Sequence, residues 1–99
     1  MAKYYLTNKA VDDLTNIWNY TFDEWSERQA DKYYQLIIDT FNEIAKNPQS
    51  GKNYDGIHID LQGLRVERHI VFYRTIDVDR IEITRILHQR MDLKKRIKE

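Results

Sequence analysis

The chain has 99 residues, of which 41% are hydrophobic and 32% charged, and its formal net charge is zero. This length suits one domain, residues 1–99, and the apolar content is that of a globular protein rather than a disordered one. Because there is no cysteine, disulfides, thiolate metal sites and cysteine nucleophiles are excluded. No signal-like or membrane-length apolar segment is visible, so we expect a cytoplasmic protein that does not bind a membrane.

The first quarter of the chain predicts a short strand and then an amphipathic helix. Tyr4-Tyr5-Leu6 is typical of a strand, and Thr7 offers the oxygen of a helix N-cap. Apolar residues then recur at steps of three and four, which predicts a helix over about residues 8–25. We expect the whole apolar stripe to lie in the core: Ala10, Val11, Leu14, Ile17, Trp18, Thr21 and Trp25.

A second helix is predicted directly after the first. Ser26 and Gln29 have the spacing of a capping box, and an apolar stripe runs from Ala30 to Ala45. Pro48 ends this helix by about residue 47. Because the connection is so short, helices 8–25 and 27–46 should form an antiparallel hairpin.

The second half of the chain changes to the two-residue period of strands. Residues 47–63 hold all three glycines and the only proline, which predicts a loop with room for a short extended piece at 57–59. From Gly63 apolar and polar residues alternate, as in a strand. Residues 70–73 are apolar at odd and even positions alike, which predicts a strand covered on both faces. Residues 80–88 form a last strand after a turn.

The face assignment of the last strand follows from strict alternation. Ile81, Ile83 and Leu87 should share one face, with Thr84, Ile86 and His88 on the other.

The order of elements is βααβββ, which predicts an α+β fold with the helical hairpin on one face of a mainly antiparallel sheet of three or four strands. The other face should then be left to carry function.

The last nine residues, 91–99, form a basic tail. Six of the last fifteen residues are Lys or Arg and only Asp92 and Glu99 oppose them. The tail could be a short basic helix with Met91, Leu93 and Ile97 as apolar anchors, or a loose solvated end. A basic surface of this kind favours an acidic partner, either protein or nucleic acid.

Four groups of residues, spread over nearly the whole chain, carry a family resemblance. The final strand and its exit give Arg85-Ile86-Leu87-His88-Gln89-Arg90-Met91-Asp92, and an earlier strand gives Arg68-His69-Ile70-Val71-Phe72-Tyr73-Arg74. Leu6-Thr7 precedes a helix with Asp13-Leu14 and Ile17-Trp18, and Asn47-Pro48 and Gly51-Lys52 follow the second helix. Together they resemble the ParE toxins, a branch of the RelE/ParE superfamily of bacterial toxin–antitoxin systems.

The resemblance implies both a fold and a function. The implied fold is that of the RelE nucleases, a helical hairpin on a curved antiparallel sheet. The implied function is that of a toxin that inhibits DNA gyrase by binding it, traps it on cleaved DNA and uses no cofactor. The implied partner is a ParD-like antitoxin, which binds operator DNA with its own N-terminal half and wraps the toxin with its C-terminal segment.

Ten residues on the predicted sheet surface and in the tail are our candidates for contacts with the target or the antitoxin: Arg65, Arg74, Arg85, His88, Arg90, Met91, Asp92, Lys94, Lys95 and Arg96. An arginine among apolar strand neighbours must be paired. An acidic antitoxin segment could pair Arg65, Arg74 and Arg85, and Glu67 or Glu82 could pair Arg74 and Arg85 internally. His88 could bond to a backbone carbonyl or to Asp92.

Two other functions remain open at this stage. Ribosome-dependent mRNA cleavage needs a base, an acid and cations, and His69 or His88 with the arginines could supply them. The chain departs from the nuclease pattern, however, because His88 is followed by Gln89 and the last tyrosine is Tyr73. The third interpretation is a non-toxic, antitoxin-binding module. The histidine spacing does not predict a metal site, and we expect no catalytic or cofactor-binding residues.

Overall fold

A computed structural model describes residues 2–98, so Met1 and Glu99, the last residue of the tail, lie outside it. The elements in chain order are β1 Lys3–Leu6, α1 Asn8–Glu24, α2 Glu27–Lys46, a 3-10 turn Pro48–Ser50, β2 Lys52–Asn53, β3 Gln62–Val66, β4 His69–Asp77, β5 Arg80–His88 and α3 Leu93–Ile97.

The two long helices begin and end where their capping residues predict. The Thr7 hydroxyl accepts from the backbone N–H of Ala10 at 3.1 Å, and the Ser26 hydroxyl accepts from that of Gln29 at 3.1 Å. Each contact satisfies an N–H that has no partner within the helix. α2 stops at Lys46, just before Pro48. The antiparallel hairpin is thereby confirmed.

Residues 2–98 form a five-stranded sheet in the order β1-β5-β4-β3-β2. β1 runs parallel to β5, and the other pairs are antiparallel. The sheet is thus mainly antiparallel, as predicted, but it has one strand more than expected. The extra strand is the two-residue β2, Lys52–Asn53. Residues 57–59 form turns instead of the expected extended piece.

The helical hairpin packs on one face of the sheet and forms the larger core. Ile37, Phe41 and Ile44 of α2 are fully buried there, beside Val71 and Tyr73 of β4. Burial of this much apolar surface is the main stabilising contribution to such a fold. This confirms the α+β architecture.

The apolar stripe of α1 is buried at Ala10, Leu14 and Thr21, whereas Val11 and Trp25 are exposed. The expectation that the whole stripe lies in the core was therefore wrong in part. Trp25 lies at the tip of the hairpin and is 73% exposed. Trp18 is half-buried, stacks on Phe22 with ring centroids 5.3 Å apart, and donates from Nε1 to Asp31.

A β-bulge in β5 corrects the predicted faces of that strand. Phe72 lies opposite Arg85 and Tyr73 lies opposite Ile83, which leaves Thr84 as the extra residue. An extra residue shifts the alternation by one. Ile86 therefore joins the larger core, whereas Leu87 points to the opposite face.

The opposite face carries a second, smaller apolar cluster. Its buried members are Leu61, Ile70, Phe72 and Leu87, and it is covered by the half-buried side chains Tyr54, Ile57, Leu93 and Ile97. The loop after β2 and the C-terminal α3 thus close over the centre of this face. The face that was expected to carry function is therefore covered at its centre. Within residues 2–98 no helix has the length and apolar character needed to cross a bilayer.

Candidate functional site

A buried ion pair joins α1 to the end of the sheet. Arg85 Nε and Nη2 donate to the two carboxylate oxygens of Asp13, at 2.7 and 3.0 Å, and the side chains are only 12% and 13% exposed. β1 ends before this point, so Asp13 lies at the outer edge of β5 and also accepts from the Ile86 N–H at 3.0 Å. Arg85 Nη1 donates to the backbone carbonyl of Arg96 at 2.8 Å.

This pair corrects the predicted partner of Arg85, which is Asp13 instead of Glu67 or Glu82. A bidentate arginine–carboxylate contact of this kind is among the stronger charge-assisted interactions. It ties α1, β5 and the tail together. The sequence offered no signal for it, because the two residues are far apart in the chain and meet only when β1 ends early.

Arg65 and Arg74 have different local surroundings. Arg74 lies 3.9 Å from Glu82, which confirms that expected partner, and its Nε atom is buried without a hydrogen-bond partner in the described part of the chain. Arg65 is exposed and donates from Nε to the backbone carbonyl of Glu67. The structure therefore assigns a separate neighbour to each of the three candidate arginines.

Two histidines and a tyrosine meet beside the ion pair. Nδ1 of His69 lies 2.6 Å from the hydroxyl of Tyr33, and the rings of His69 and His88 make an edge contact at 5.3 Å. Burial, and secondarily the neighbouring His88, lowers the pKa of His69 to about 4. His69 is therefore neutral at pH 7. The Tyr33 hydroxyl also donates to the Val66 carbonyl at 3.3 Å, so the tautomer of His69 decides the direction of the short contact.

This cluster is poorly matched to acid–base chemistry near neutral pH. A base with a pKa near 4 takes up protons weakly at pH 7, and burial raises the pKa of Tyr33. His88 Nδ1 accepts from the backbone N–H of Arg90 at 3.1 Å, which differs from the suggested bond between His88 and a backbone carbonyl or Asp92. Tyr73, the last tyrosine of the chain, is fully buried and donates to the carbonyl of Pro48.

The tail forms a short helix that docks on the smaller cluster. Asp92 caps it by accepting from the Lys95 N–H at 3.1 Å, and Leu93 and Ile97 pack beneath it. The helical alternative is confirmed for residues 93–97. Lys94 and Lys95 are exposed, as is Met91 at the start of the tail.

A groove of about 910 Å³ opens between the helical hairpin and the ends of β4 and β5. It contains Arg85, His88, Arg90, Met91 and Arg96 of the predicted set. It also contains residues that the sequence did not single out as contacts: Tyr20, Trp25, Lys32, Leu36 and Arg68. The signal of Trp25 was hidden, because helical periodicity assigned that side chain to the core. In residues 2–98 no group of His, Asp or Glu side chains is arranged to hold a metal ion.

Comparison with known proteins finds relatives that span almost the whole chain. The model of a family described as ParE toxin of type II toxin–antitoxin system, parDE, matches residues 4–93. Toxin ParE1 of Mycobacterium tuberculosis is 34% identical and Toxin ParE1 of Caulobacter vibrioides 35% identical, each over 92 residues that cover 93% of this chain and 94% of the relative. Toxin ParE of Escherichia coli is 31% identical over 97 residues, covering 98% of this chain and 94% of the relative.

The fold has a counterpart among solved structures. A chain of a structure described as the chromosomal ParDE TA system from P. aeruginosa superposes with a TM-score of 0.76 at 21% identity. The match covers 89% of this chain and 96% of the other. At this level of identity the likeness shows a shared fold.

Proposed function

We propose that this chain, which belongs to the ParE toxin family of type II toxin–antitoxin systems, inhibits DNA gyrase by binding it and is neutralised by a ParD-like antitoxin. The observation that carries the proposal is the family match over residues 4–93. Operator DNA is contacted only through the antitoxin. Neither a cofactor nor a catalytic residue takes part.

Binding, rather than catalysis, is supported by the chemistry of the polar side chains. Asp13 and Arg85 neutralise each other, and Tyr73 is held between the Pro48 carbonyl and the Gly51 N–H. His69 has a pKa of about 4, set mainly by burial. These groups are engaged in holding the fold together, which leaves exposed charge and exposed apolar surface as the means of action.

The tail is our candidate for the contact with gyrase on DNA. Lys94 and Lys95 extend from α3 into solvent, and Asp92 fixes the start of that helix. Gyrase at work on DNA presents an anionic surface, to which exposed cations are attracted at long range. Because α3 also covers the smaller cluster, deleting residues 91–99 would disturb packing. Charge reversal on Lys94 and Lys95 is the cleaner test.

The test compares gyrase-mediated DNA cleavage and supercoiling with wild-type protein and with the Lys94→Glu/Lys95→Glu variant. We expect wild type to increase cleaved DNA and the variant to lose most of this effect while keeping its circular dichroism spectrum. Arg80→Glu is the control, because Arg80 is exposed at the start of β5, the end of that strand away from the tail. A wild-type protein that leaves gyrase unaffected would refute the proposal.

The antitoxin contact rests on the exposed basic surface. Arg65 and Arg74 are our sheet candidates for an acidic, partly disordered segment that folds as it binds. Loss of antitoxin affinity in Arg65→Ala and Arg74→Ala, measured by titration calorimetry, is the expected result. Unchanged affinity in both would remove the sheet arginines from the interface.

The two alternative functions are tested by the same protein. Expression without antitoxin should arrest growth, and a culture that grows normally would favour the non-toxic module. Primer extension on translated mRNA should show no new cuts. Codon-specific cuts that disappear in His88→Ala would instead assign the toxin to the nuclease branch.

A further inference from the structure

The tail helix α3 is too short to be stable by itself. It has five residues, Leu93–Ile97, and isolated helices shorter than about 12–15 residues are marginal in water. Its conformation must therefore be imposed by contacts with the rest of the chain. These contacts decide whether the cations of the tail form an ordered surface or a disordered end.

The end of α3 is held by the side chain of Arg85. Arg85 lies in β5, and its Nη1 donates to the backbone carbonyl of Arg96 at 2.8 Å. The last carbonyls of a helix have no N–H partner within the helix and carry partial negative charge, so a cationic donor is favoured there. Beneath the helix, Leu93 and Ile97 pack on the smaller apolar cluster. Apolar contact alone is not directional, whereas a hydrogen bond at the end of the helix fixes its position on the sheet.

Asp13 keeps the guanidinium of Arg85 directed at α3. Nε and Nη2 of Arg85 donate to the carboxylate of Asp13 at 2.7 and 3.0 Å, and both side chains are nearly buried. The Ile86 N–H donates to the same carboxylate at 3.0 Å and so fixes the carboxylate in turn. Because the guanidinium is planar and rigid, the two bonds on one side determine the direction of the Nη1 donor on the other. A chain of contacts therefore runs from α1 through β5 to the end of the tail.

The helix held in this way presents its lysines on the side away from the sheet. Leu93 and Ile97 are half-buried, whereas Lys94, Lys95 and Lys98 are exposed. In a disordered tail the same charges would be spread over many conformations, and a partner would have to order them as it binds. An ordered helix avoids that loss of entropy, so the same cations bind an anionic surface more tightly.

We propose that Asp13 and Arg85 are positioning residues for the action of the toxin on its target. Together they lock the end of α3, so that Lys94 and Lys95 form a preorganised basic surface. The inference rests on the proposed function, in which these cations contact gyrase on DNA, and it adds the residues that order them. Asp13 and Arg85 act through α3, and neither has to touch the target.

The first part of the test measures the order of α3 in the toxin alone, by amide hydrogen exchange. Arg85→Lys keeps a cation beside Asp13 but replaces the planar fork of donors by a single ammonium group. It should therefore release α3 while it keeps the charge pair between α1 and β5. We expect the amides of Lys95 and Arg96, which donate to Asp92, to exchange about tenfold faster or more. The amides of α1 and α2 should change little.

The second part measures DNA cleavage by gyrase as a function of toxin concentration. Arg85→Lys and Asp13→Asn should each raise the concentration needed for half-maximal cleavage about tenfold, in the same order as they speed exchange in α3. The matched control is Ile44→Val, because Ile44 is fully buried in the larger core and its truncation lowers stability without contact to the tail. This control should change neither the exchange of α3 nor the potency. Circular dichroism melts establish that all variants fold.

The two measurements together separate positioning from stability. An Arg85→Lys variant with rapid exchange in α3 and wild-type potency would overturn the inference, because the tail would then act without being held. Unchanged exchange in both Arg85→Lys and Asp13→Asn would also overturn it. An equal loss of potency in Ile44→Val would assign the effect to general stability. A wild-type toxin that leaves DNA cleavage by gyrase unaffected would refute the proposed function, whereas faster exchange in Arg85→Lys would still show that the pair orders the tail.

Discussion

The two faces of the sheet are covered in different ways. On one face, α2 buries Ile37, Phe41 and Ile44 completely against the central strands. On the other, the buried Phe72 and Leu87 are covered by a loop and by the five-residue α3. The free energy of folding therefore comes mainly from the hairpin face. The thinly covered face and the end of the sheet next to it can carry partner-binding side chains with little loss of stability.

The largest expected effect comes from the hairpin face. Phe41→Ala removes a fully buried aromatic ring that also packs against Tyr4 at 5.4 Å. We expect the free energy of unfolding to fall by about 3–5 kcal/mol, which approaches the whole stability of a domain of this size. Urea denaturation followed by circular dichroism measures it. A loss below about 1 kcal/mol would mean that this face is not the main core.

The ion pair that joins the hairpin to β5 is the next most sensitive point. Asp13→Ala leaves Arg85 buried beside an unpaired Ile86 N–H. Removing one partner of a buried pair costs about 3 kcal/mol. The matched control is Arg80→Ala, which breaks an exposed pair with Asp77 and should change stability far less. Equal denaturation midpoints for the two variants would show that the Asp13 contact adds little.

His69, at the end of the sheet, should make the free energy of unfolding depend on pH. Burial lowers its pKa to about 4 from 6.5. Between these values the unfolded chain binds a proton that the native chain excludes, so stability rises with pH across this window and is lost as the pH falls toward 4. Since His69 is only partly buried, we expect an effect of roughly 1–2 kcal/mol after solvent screening. Denaturation at several pH values should show a flatter profile for His69→Phe, and an unchanged slope would contradict the assignment.

The opposite face should respond weakly to a comparable truncation. Ile97 is half-buried and belongs to a helix of five residues. Ile97→Ala should cost about 1 kcal/mol, the value for partial burial of its methylene groups. The same urea experiment as for Phe41→Ala measures this loss, so the losses of unfolding free energy on the two faces can be compared directly. Similar losses in both variants would show that α3 is part of the main core.

Helix and strand positions were accessible from the sequence because they depend on local periodicity and capping. Thr7, Ser26 and Pro48 mark helix boundaries by their own chemistry, and β5 was predicted with its observed bounds. The bulge at Thr84 was not accessible, since an extra residue in one strand appears only when its partner is known. The same reason hid the Asp13–Arg85 pair, which forms through the parallel β1–β5 arrangement.

The smallest expected effect on stability is that of a substitution at Trp25. This substitution best distinguishes a role in binding from a role in folding. Periodicity assigned this tryptophan to the core, yet it is 73% exposed at the tip of the hairpin. Trp25→Ala should therefore change the free energy of unfolding by less than about 0.5 kcal/mol, as for surface substitutions generally. Trp25 also lines the groove between the helical hairpin and the ends of β4 and β5, where an exposed ring is available to a partner. A variant with an unchanged melting curve and weakened antitoxin binding would show that this ring is kept for an interface. A variant with a markedly lowered melting temperature would place Trp25 in the structural core after all, because an exposed ring makes too few contacts to stabilise the monomer.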